Sequence, residues 1–291
     1  MAHILVTGAA GFIGSHTTDQ LLAAGHTVTG VDNFRTGRRA NLSTALAAPR
    51  FTLHELDVSA PDALAQLVTR ARPDAIIHLA ALVSVQESMT NPAVNYTLNV
   101  QATQQVAEAA RLNGVRRIVF ASSAAVYGDA TELPIRESAD KKPISPYGAA
   151  KLASEALLLG HGAAFDLSVR CQRYFNVFGP RQDPASPYSG VISIFERRYR
   201  EGKPVTIYGN GKQTRDFISV HDVARANLIA ATKAGIASGA ANICTGRATT
   251  LAEIIDALRR EYPQVPAPSH AAPRTGEIGR ASCRERVSKQ V

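Results

Sequence analysis

Thr7-Gly8-Ala9-Ala10-Gly11-Phe12-Ile13-Gly14, entered from the apolar run at His3–Val6 and followed by a helical pattern to Ala24, is the stretch on which the fold turns. It reads as strand, glycine turn and helix. Gly8 permits the tight turn, Gly11 lets backbone approach a pyrophosphate, and Gly14 lets the helix pack close to the strand. The spacing is G-x-x-G-x-x-G, so the trio gains its meaning from the second strand. That strand, Thr27–Val31, ends at Asp32, whose carboxylate can accept hydrogen bonds from both hydroxyls of an adenine ribose. This predicts NAD rather than its 2′-phosphorylated relative. Arg35, Arg38 and Arg39 leave two readings open, a solvated loop or a 2′-phosphate site.

Outward from this stretch the alternation continues. Phe51–Val58 reads as a strand with Asp57 at its end, Pro61–Ala71 as a helix, and Asp74–Ala81 as a nearly continuous apolar strand of a buried parallel sheet. Asn91–Asn113 is a long helix with a break or cap at its start, Arg116–Ser122 a strand, 146–162 a helix and Asp166–Arg173 a strand. The pattern predicts an α/β, Rossmann-like, doubly wound parallel sheet over residues 1–175. After Gly179, prolines and glycines punctuate shorter elements: a helix at Val191–Glu201, a strand at Val205–Tyr208, a helix at His221–Ala234, a strand at Ala241–Cys244 and a helix at Leu251–Glu261. These form a smaller, interleaved α/β lobe over 176–278, with 205–230 packing back onto the first domain. Ligands of open α/β sheets bind at the carboxyl edge of the strands, which this lobe would close.

Ser145-Pro146-Tyr147-Gly148-Ala149-Ala150-Lys151 places a tyrosine and a lysine on one helix face. A free phenol is only about 0.1% ionised at neutral pH. A neighbouring ammonium favours the phenolate, and a positively charged nicotinamide would add to it. The pair therefore reads as a general base that waits for an oxidised cofactor. Tyr-x-x-x-Lys also occurs as a plain surface pair, so the cofactor motif decides between the two.

The composition narrows the class. A chain of 291 residues with 45% hydrophobic content fits one large α/β unit or two modest domains. No apolar run is long enough for a transmembrane helix, and the start of the chain enters a strand directly, without a signal-peptide layout. Three widely spaced cysteines (Cys171, Cys244, Cys283) suggest a reducing, cytoplasmic compartment and no metal site. The net charge is +8, but residues 279–291 supply three of those charges and the remainder are scattered. The surplus fits a small anionic substrate rather than a nucleic acid.

Taken in order, these motifs resemble the extended short-chain dehydrogenase/reductase superfamily and, within it, the NAD-dependent UDP-sugar 4-epimerases, over about residues 3–278. The resemblance rests on the glycine turn, Asp32-Asn33, Asp57-Val58, His78-Leu79-Ala80-Ala81, Ser122-Ser123-Ala124-Ala125-Val126-Tyr127-Gly128 and the Tyr147/Lys151 pair. Arg173-Tyr174-Phe175-Asn176-Val177-Phe178-Gly179, Gly209-Asn210-Gly211 and Thr214-Arg215-Asp216-Phe217 complete it. It implies Tyr147 as base, Lys151 as its tuner and Ser123 as a partner of the same sugar oxygen. NAD would be held by Gly8, Gly11, Phe12, Ile13, Gly14, Asp32, Asn33, Asp57, Val58, Leu79, Ala80, Ala81, Asn99, Tyr147, Lys151 and Tyr174. The UDP-sugar would meet Ser84, Ser123, Asn176, Val191, Ile192, Arg215, Arg274 and Glu277. Hydride would leave sugar C4 and return to the other face, without release of NADH. A homodimer through the 91–113 and 146–162 helices is also implied.

Some positions depart from this pattern or carry plainer readings. The 4,6-dehydratase relatives need acids where this chain has Ala124 and Ala125, so dehydration is not expected. His78 reads as a satisfied core histidine and Tyr127 equally as packing or site. Glucose-type and N-acetylated sugars both remain open. From Gly279 onward the sequence loses the family pattern, so 279–291 reads as a non-family tail, with the last helices of the lobe truncated, the size-selecting gate near Ala281 unreadable and sugar binding impaired.

Overall fold

The computed structural model describes residues 1–183, 190–211 and 213–272. Strands β1 (His3–Thr7), β2 (Thr27–Asp32), β3 (Phe51–Glu55), β4 (Ala75–His78), β5 (Arg117–Ser123) and β6 (Ser168–Tyr174) form a parallel sheet. Between them run helices α1 (Phe12–Ala23), α2 (Ser43–Leu46), α3 (Ala63–Ala71), α4 (Val85–Thr90), α5 (Pro92–Asn95), α6 (Ala102–Leu112) and α7 (Pro146–Phe165). The predicted helix at 91–113 is built from α5, a π-helical segment at Tyr96–Gln101 and α6. Helix α4 is absent from the sequence reading. Its signal was present, because Ser84 followed by Glu87 is a capping pattern, and the Ser84 hydroxyl does accept the Glu87 amide.

The second half adds β7 (Asn176–Phe178), α8 (Val191–Arg200), β8 (Thr206–Tyr208), β9 (Thr214–Arg215), β10 (Phe217–Ser219), α9 (Val220–Thr232), β11 (Gly239–Ile243), β12 (Thr249–Thr250), α10 (Leu251–Glu261) and β13 (Ser269–Ala271). One of these is a correction to the domain reading. β11, placed by sequence in the smaller lobe, is the seventh strand of the main sheet and pairs in parallel with β6. Its partner is chosen by the open edge of β6, which no local pattern around Ala241 announces. The sheet order is β11-β6-β5-β4-β1-β2-β3, so the winding reverses between β1 and β4.

Both sheet faces are covered, as a parallel sheet requires. On one face α3, α6 and α7 pack over Leu5, Ile76, Ile118 and Val169. On the other, α1 and α9 cover Ile4, Val6, Ile77 and Val119. The rest of the smaller lobe gathers around Phe195, Tyr199, Ile207, Leu251 and Ile254. Among the described residues, three two-stranded ribbons, β7–β10, β8–β13 and β9–β12, lie outside the main sheet.

Candidate active site

The register of β1 sets the cofactor end. Thr7 lies beside Val31 of β2 and His78 of β4, so the glycine turn opens where the winding reverses. Thr7 Oγ1 sits 2.8 Å from His78 Nδ1 and accepts the Leu79 and Ala80 amides at 3.2 Å each. The glycine spacing has a steric cause. A Cβ on Gly14 would fall 1.9 Å from the Gly8 carbonyl oxygen, and one on Gly8, at φ +70°, would fall 2.8 Å from the Ala80 nitrogen. At Gly11 the only atom of the described residues within contact range is the Gly8 oxygen at 3.1 Å, which leaves its outer side open to a ligand. Helix α1 starts there without a side-chain cap, which leaves its partial positive charge for an anion.

Asp32 closes over this turn. Its Oδ2 accepts the Ala10 amide at 2.8 Å and its Oδ1 the Phe34 amide at 2.8 Å. Burial pushes the carboxyl above its usual range, against the pull of those amides. Asn33 donates to Asp57 Oδ2 at 2.9 Å, and Ser59 holds Asp57 Oδ1 through its amide and hydroxyl. Burial raises the Asp57 pKa, but these hydrogen bonds outweigh it and keep the group low. Val58 sinks into the core beside it. Of the three arginines left open by sequence, Arg35 pairs with Glu87, and Arg38 with Asp183 at 2.5 Å. Asn99, in the π-helical segment, donates to the Leu82 carbonyl oxygen and to Asn95 Oδ1, while its buried Oδ1 meets no donor among the described residues. A buried acceptor without a donor, a cradle that admits no Cβ at Gly14 and an open face at Gly11 together fit a dinucleotide.

The catalytic end is set by α7. Ser145 caps the helix by accepting the Gly148 amide, and Pro146 fills the first turn. A Cβ on Gly148 would lie 2.6 Å from the Ala125 carbonyl oxygen, so glycine lets the first turn press onto the segment after β5. That approach brings Tyr147 beside Ser123, whose hydroxyl acts to lower the phenol pKa. Ser123 also accepts the Ala125 amide, the capping role that sequence offered as the plain alternative. Lys151 is buried, donates from Nζ to the Ala121 carbonyl oxygen at 2.8 Å, and lies 5.9 Å from the Tyr147 ring centre. Burial brings its pKa down to about 7, with Glu155 pulling the other way. Burial also holds the Tyr147 phenol above its ordinary value despite the Ser123 hydroxyl. Lysine proximity by itself therefore does not ionise this tyrosine, and further positive charge is required.

The sugar-side residues meet at Asp216–Phe217. Asn176 donates its side-chain amide, at 3.0 Å, and its backbone amide to the Asp216 carbonyl oxygen. Arg215 precedes Asp216 on β9, and its Nη1 donates to the Thr214 carbonyl oxygen. Val191 and Ile192, in the first turn of α8, pack with Phe217 in the lobe's core. Ser84 is spent capping α4. Leu79, Ala80 and Ala81 follow β4 at the glycine turn, while Phe12 and Ile13 open α1. Tyr174 packs behind this turn with Ile13 and Leu79 and turns its hydroxyl inward to Asn227 Oδ1 at 2.7 Å. Arg274 and Glu277, with Ala281, lie outside the described residues.

Three residues have roles that sequence did not assign. Buried Asp216 accepts the Thr245 amide and hydroxyl and the Gly246 amide, pinning the lobe to the sheet edge. Glu155 and Arg173 form a buried ion pair behind Lys151. Tyr127 belongs to the same interior network, and His78 is a neutral core histidine with its pKa lowered to about 3 by burial and then by Lys151.

Comparisons agree with this geometry. A family model described as the NAD dependent epimerase/dehydratase family matches residues 4–244. A UDP-glucose 4-epimerase of Mycolicibacterium smegmatis is 38% identical over 288 residues, covering 99% of this chain and 91% of the relative. The solved UDP-N-acetylglucosamine 4-epimerase of Methanobrevibacter ruminantium M1, in complex with UDP-N-acetylmuramic acid, superposes with a TM-score of 0.92 at 33% identity, covering 97% of this chain and 89% of that one. The UDP-glucose 4-epimerase of Thermus thermophilus, in complex with NAD, gives a TM-score of 0.86 at 35% identity, covering 97% and 90%.

Proposed function

We propose, for a chain that belongs to the NAD-dependent epimerase/dehydratase family, the activity of an NAD-dependent UDP-sugar 4-epimerase. The observation that carries this reading is the juxtaposition of Ser123, at the carboxyl end of β5, with Tyr147 and Lys151 on α7, where Lys151 is buried, donates from Nζ to the Ala121 carbonyl oxygen at 2.8 Å and lies 5.9 Å from the Tyr147 ring centre. NAD would be held by the Gly8–Gly14 turn, Asp32, Asn33, Asp57, Ala80 and Asn99. When bound, it supplies the hydride acceptor and donor and a positive ring. Tyr147 would take the proton of the sugar 4-hydroxyl as C4 is oxidised and give it back to the same oxygen when C4 is reduced from its opposite face. Ser123 orients that oxygen, and Lys151 supports the phenolate. Arg215 offers a planar donor fork suited to the diphosphate, and Asn176 lies beside it. Ala124 and Ala125 have no proton to give, which favours epimerisation over dehydration.

The substrates are UDP-glucose and UDP-galactose or their N-acetylated counterparts. The expected result is inversion at C4 of UDP-galactose or UDP-N-acetylgalactosamine, followed by nuclear magnetic resonance, without NADH build-up. Stoichiometric NADH release would overturn the reading in favour of a net dehydrogenase. A homodimer and a cytoplasmic setting belong to the same proposal. The outer face of α7 supports the first: Ala149, Ala153, Ala156 and Gly160 are exposed and small, so a second α7 can approach closely. Sedimentation as a monomer at working concentrations would remove the dimer from the proposal.

A further inference from the structure

The inner face of α7 carries Tyr147, Lys151 and Glu155 on three successive turns, and three successive residues of β5 hold them. Ser123 stands beside the phenol, the Ala121 carbonyl accepts from Lys151 Nζ at 2.8 Å, and Ser122 Oγ donates to Glu155 Oε1 at 2.5 Å. Glu155 is gripped from β6 as well. Arg173 Nε reaches Oε1 at 2.9 Å and Nη2 reaches Oε2 at 2.6 Å. The remaining nitrogen of that fork donates to the Tyr127 hydroxyl at 2.8 Å and the Glu137 carbonyl at 3.1 Å, and Tyr127 in turn donates to Asn242 Oδ1 on β11. Glu155 and Arg173 are 2% and 4% exposed. An apolar pair would fill this space without the cost of desolvating two charges. The ion pair therefore calls for a reason beyond packing.

The reason lies one turn away. Burial of Lys151 favours the neutral amine, while the Phe120 ring, 4.9 Å from Nζ to its centre, favours the ammonium. The titratable groups around it and its carboxylate neighbour are His78 from β4, Arg170, Cys171 and Arg173 from β6, Tyr127 after β5, and Tyr147 and Glu155 from α7 itself. Burial leaves His78, Cys171 and Tyr127 uncharged. Glu155 is the acidic group of this set, ion-paired with Arg173 and hydrogen-bonded by Ser122.

We propose that Glu155, clamped by Arg173 and Ser122, is a positioning residue for the base: it holds Lys151 as an ammonium beside the phenol and so sets how the pair shares one proton. This rests on the reading of Tyr147 as the base. The productive arrangement is phenolate with ammonium, and the idle one is phenol with neutral amine. Glu155 stands one turn from Lys151 and two from Tyr147, so its attraction for the ammonium exceeds its repulsion of the phenolate.

The test compares the parent with Glu155→Gln and with Glu155→Gln/Arg173→Gln, which leaves no unpaired buried charge. Each protein, loaded with NAD+, is titrated by phenolate difference absorbance against the matching Tyr147→Phe protein. The pH profiles of kcat and KM are then measured with UDP-galactose. The expected result is a phenolate signal near neutral pH and a plateau kcat both reduced by about tenfold, one pK unit's worth, with KM unchanged. The acid limb moves to lower pH, because removing a carboxylate eases loss of the pair's proton. A double variant with native circular dichroism, parental phenolate signal and parental profile overturns the proposal. So does a single variant that loses only folded yield. If the parent turns over no sugar but the phenolate signal still falls in the variants, the functional reading fails and the role of Glu155 stands.

Discussion

The two walls of the cleft are built by different means. The cofactor wall stands on β1, β2, β4, β5 and β6, each paired on both sides within a sheet whose faces are both covered. The sugar wall stands on two- and three-residue strands in three separate ribbons and on one cluster around Tyr199. On the first wall, a side chain's place follows from strand register. On the second it follows from single polar anchors, Asp216 above all.

Tyr147→Phe should have the largest effect and sharpen the contrast. Removing the base is expected to cut kcat by about a thousandfold. NAD affinity by isothermal titration and the circular dichroism spectrum should stay parental, because the sheet holds the wall without the hydroxyl. Asp216→Ala comes next. It strips three donors of their acceptor, a loss of roughly 3 kcal/mol at about 1 kcal/mol per bond. Urea unfolding followed by circular dichroism should show it, and KM for the sugar should rise while NAD affinity holds. Equal losses of both affinities would break the comparison, since the walls would then depend on one anchor.

The third prediction concerns the interior of the cofactor wall. His78 is held neutral, with a folded pKa of about 3 against 6.5 when unfolded. The unfolded chain binds the proton first as pH falls, so stability declines below about pH 6.5 and continues to decline to about pH 3. The loss at pH 5 is on the order of 2 kcal/mol. In His78→Gln the slope of unfolding free energy over this range should flatten. An unchanged slope would assign acid sensitivity elsewhere. The smallest effect is expected at the rim. Arg35→Ala breaks a partly exposed ion pair with Glu87 and should cost under about 1 kcal/mol, leaving the preference for NAD over NADP in place. A large change in that preference would give Arg35 the phosphate role that the sequence left open.

The same contrast explains what the sequence could show. On the cofactor wall, glycine spacing, apolar runs and the Tyr147/Lys151 period are local patterns, and each maps to an observed element. The satisfied histidine at position 78 was legible for the same reason. The sugar wall is different. Asp216 looks like any acidic residue beside Arg215, and its buried anchoring depends on Thr245 and Gly246, far along the chain. Strand β11 has no alternating neighbours to identify its sheet. Glu155 was readable as one more turn on the Tyr147 face, but its partner Arg173 comes from another strand. Likewise, Lys151 suggests a lowered phenol pKa by proximity, while burial, which sequence does not give, reverses the sign.

The late arrival of β11 has a further consequence for how the chain is made. On the ribosome, the carboxyl-side edge of β6 emerges with no partner, and residues 175–238 must follow before Gly239–Ile243 can seal it. An unsealed parallel edge is a template for pairing with another chain. Nascent chains arrested or nicked in that interval are therefore the species that call on chaperones and aggregate, while the finished protein hides the seam.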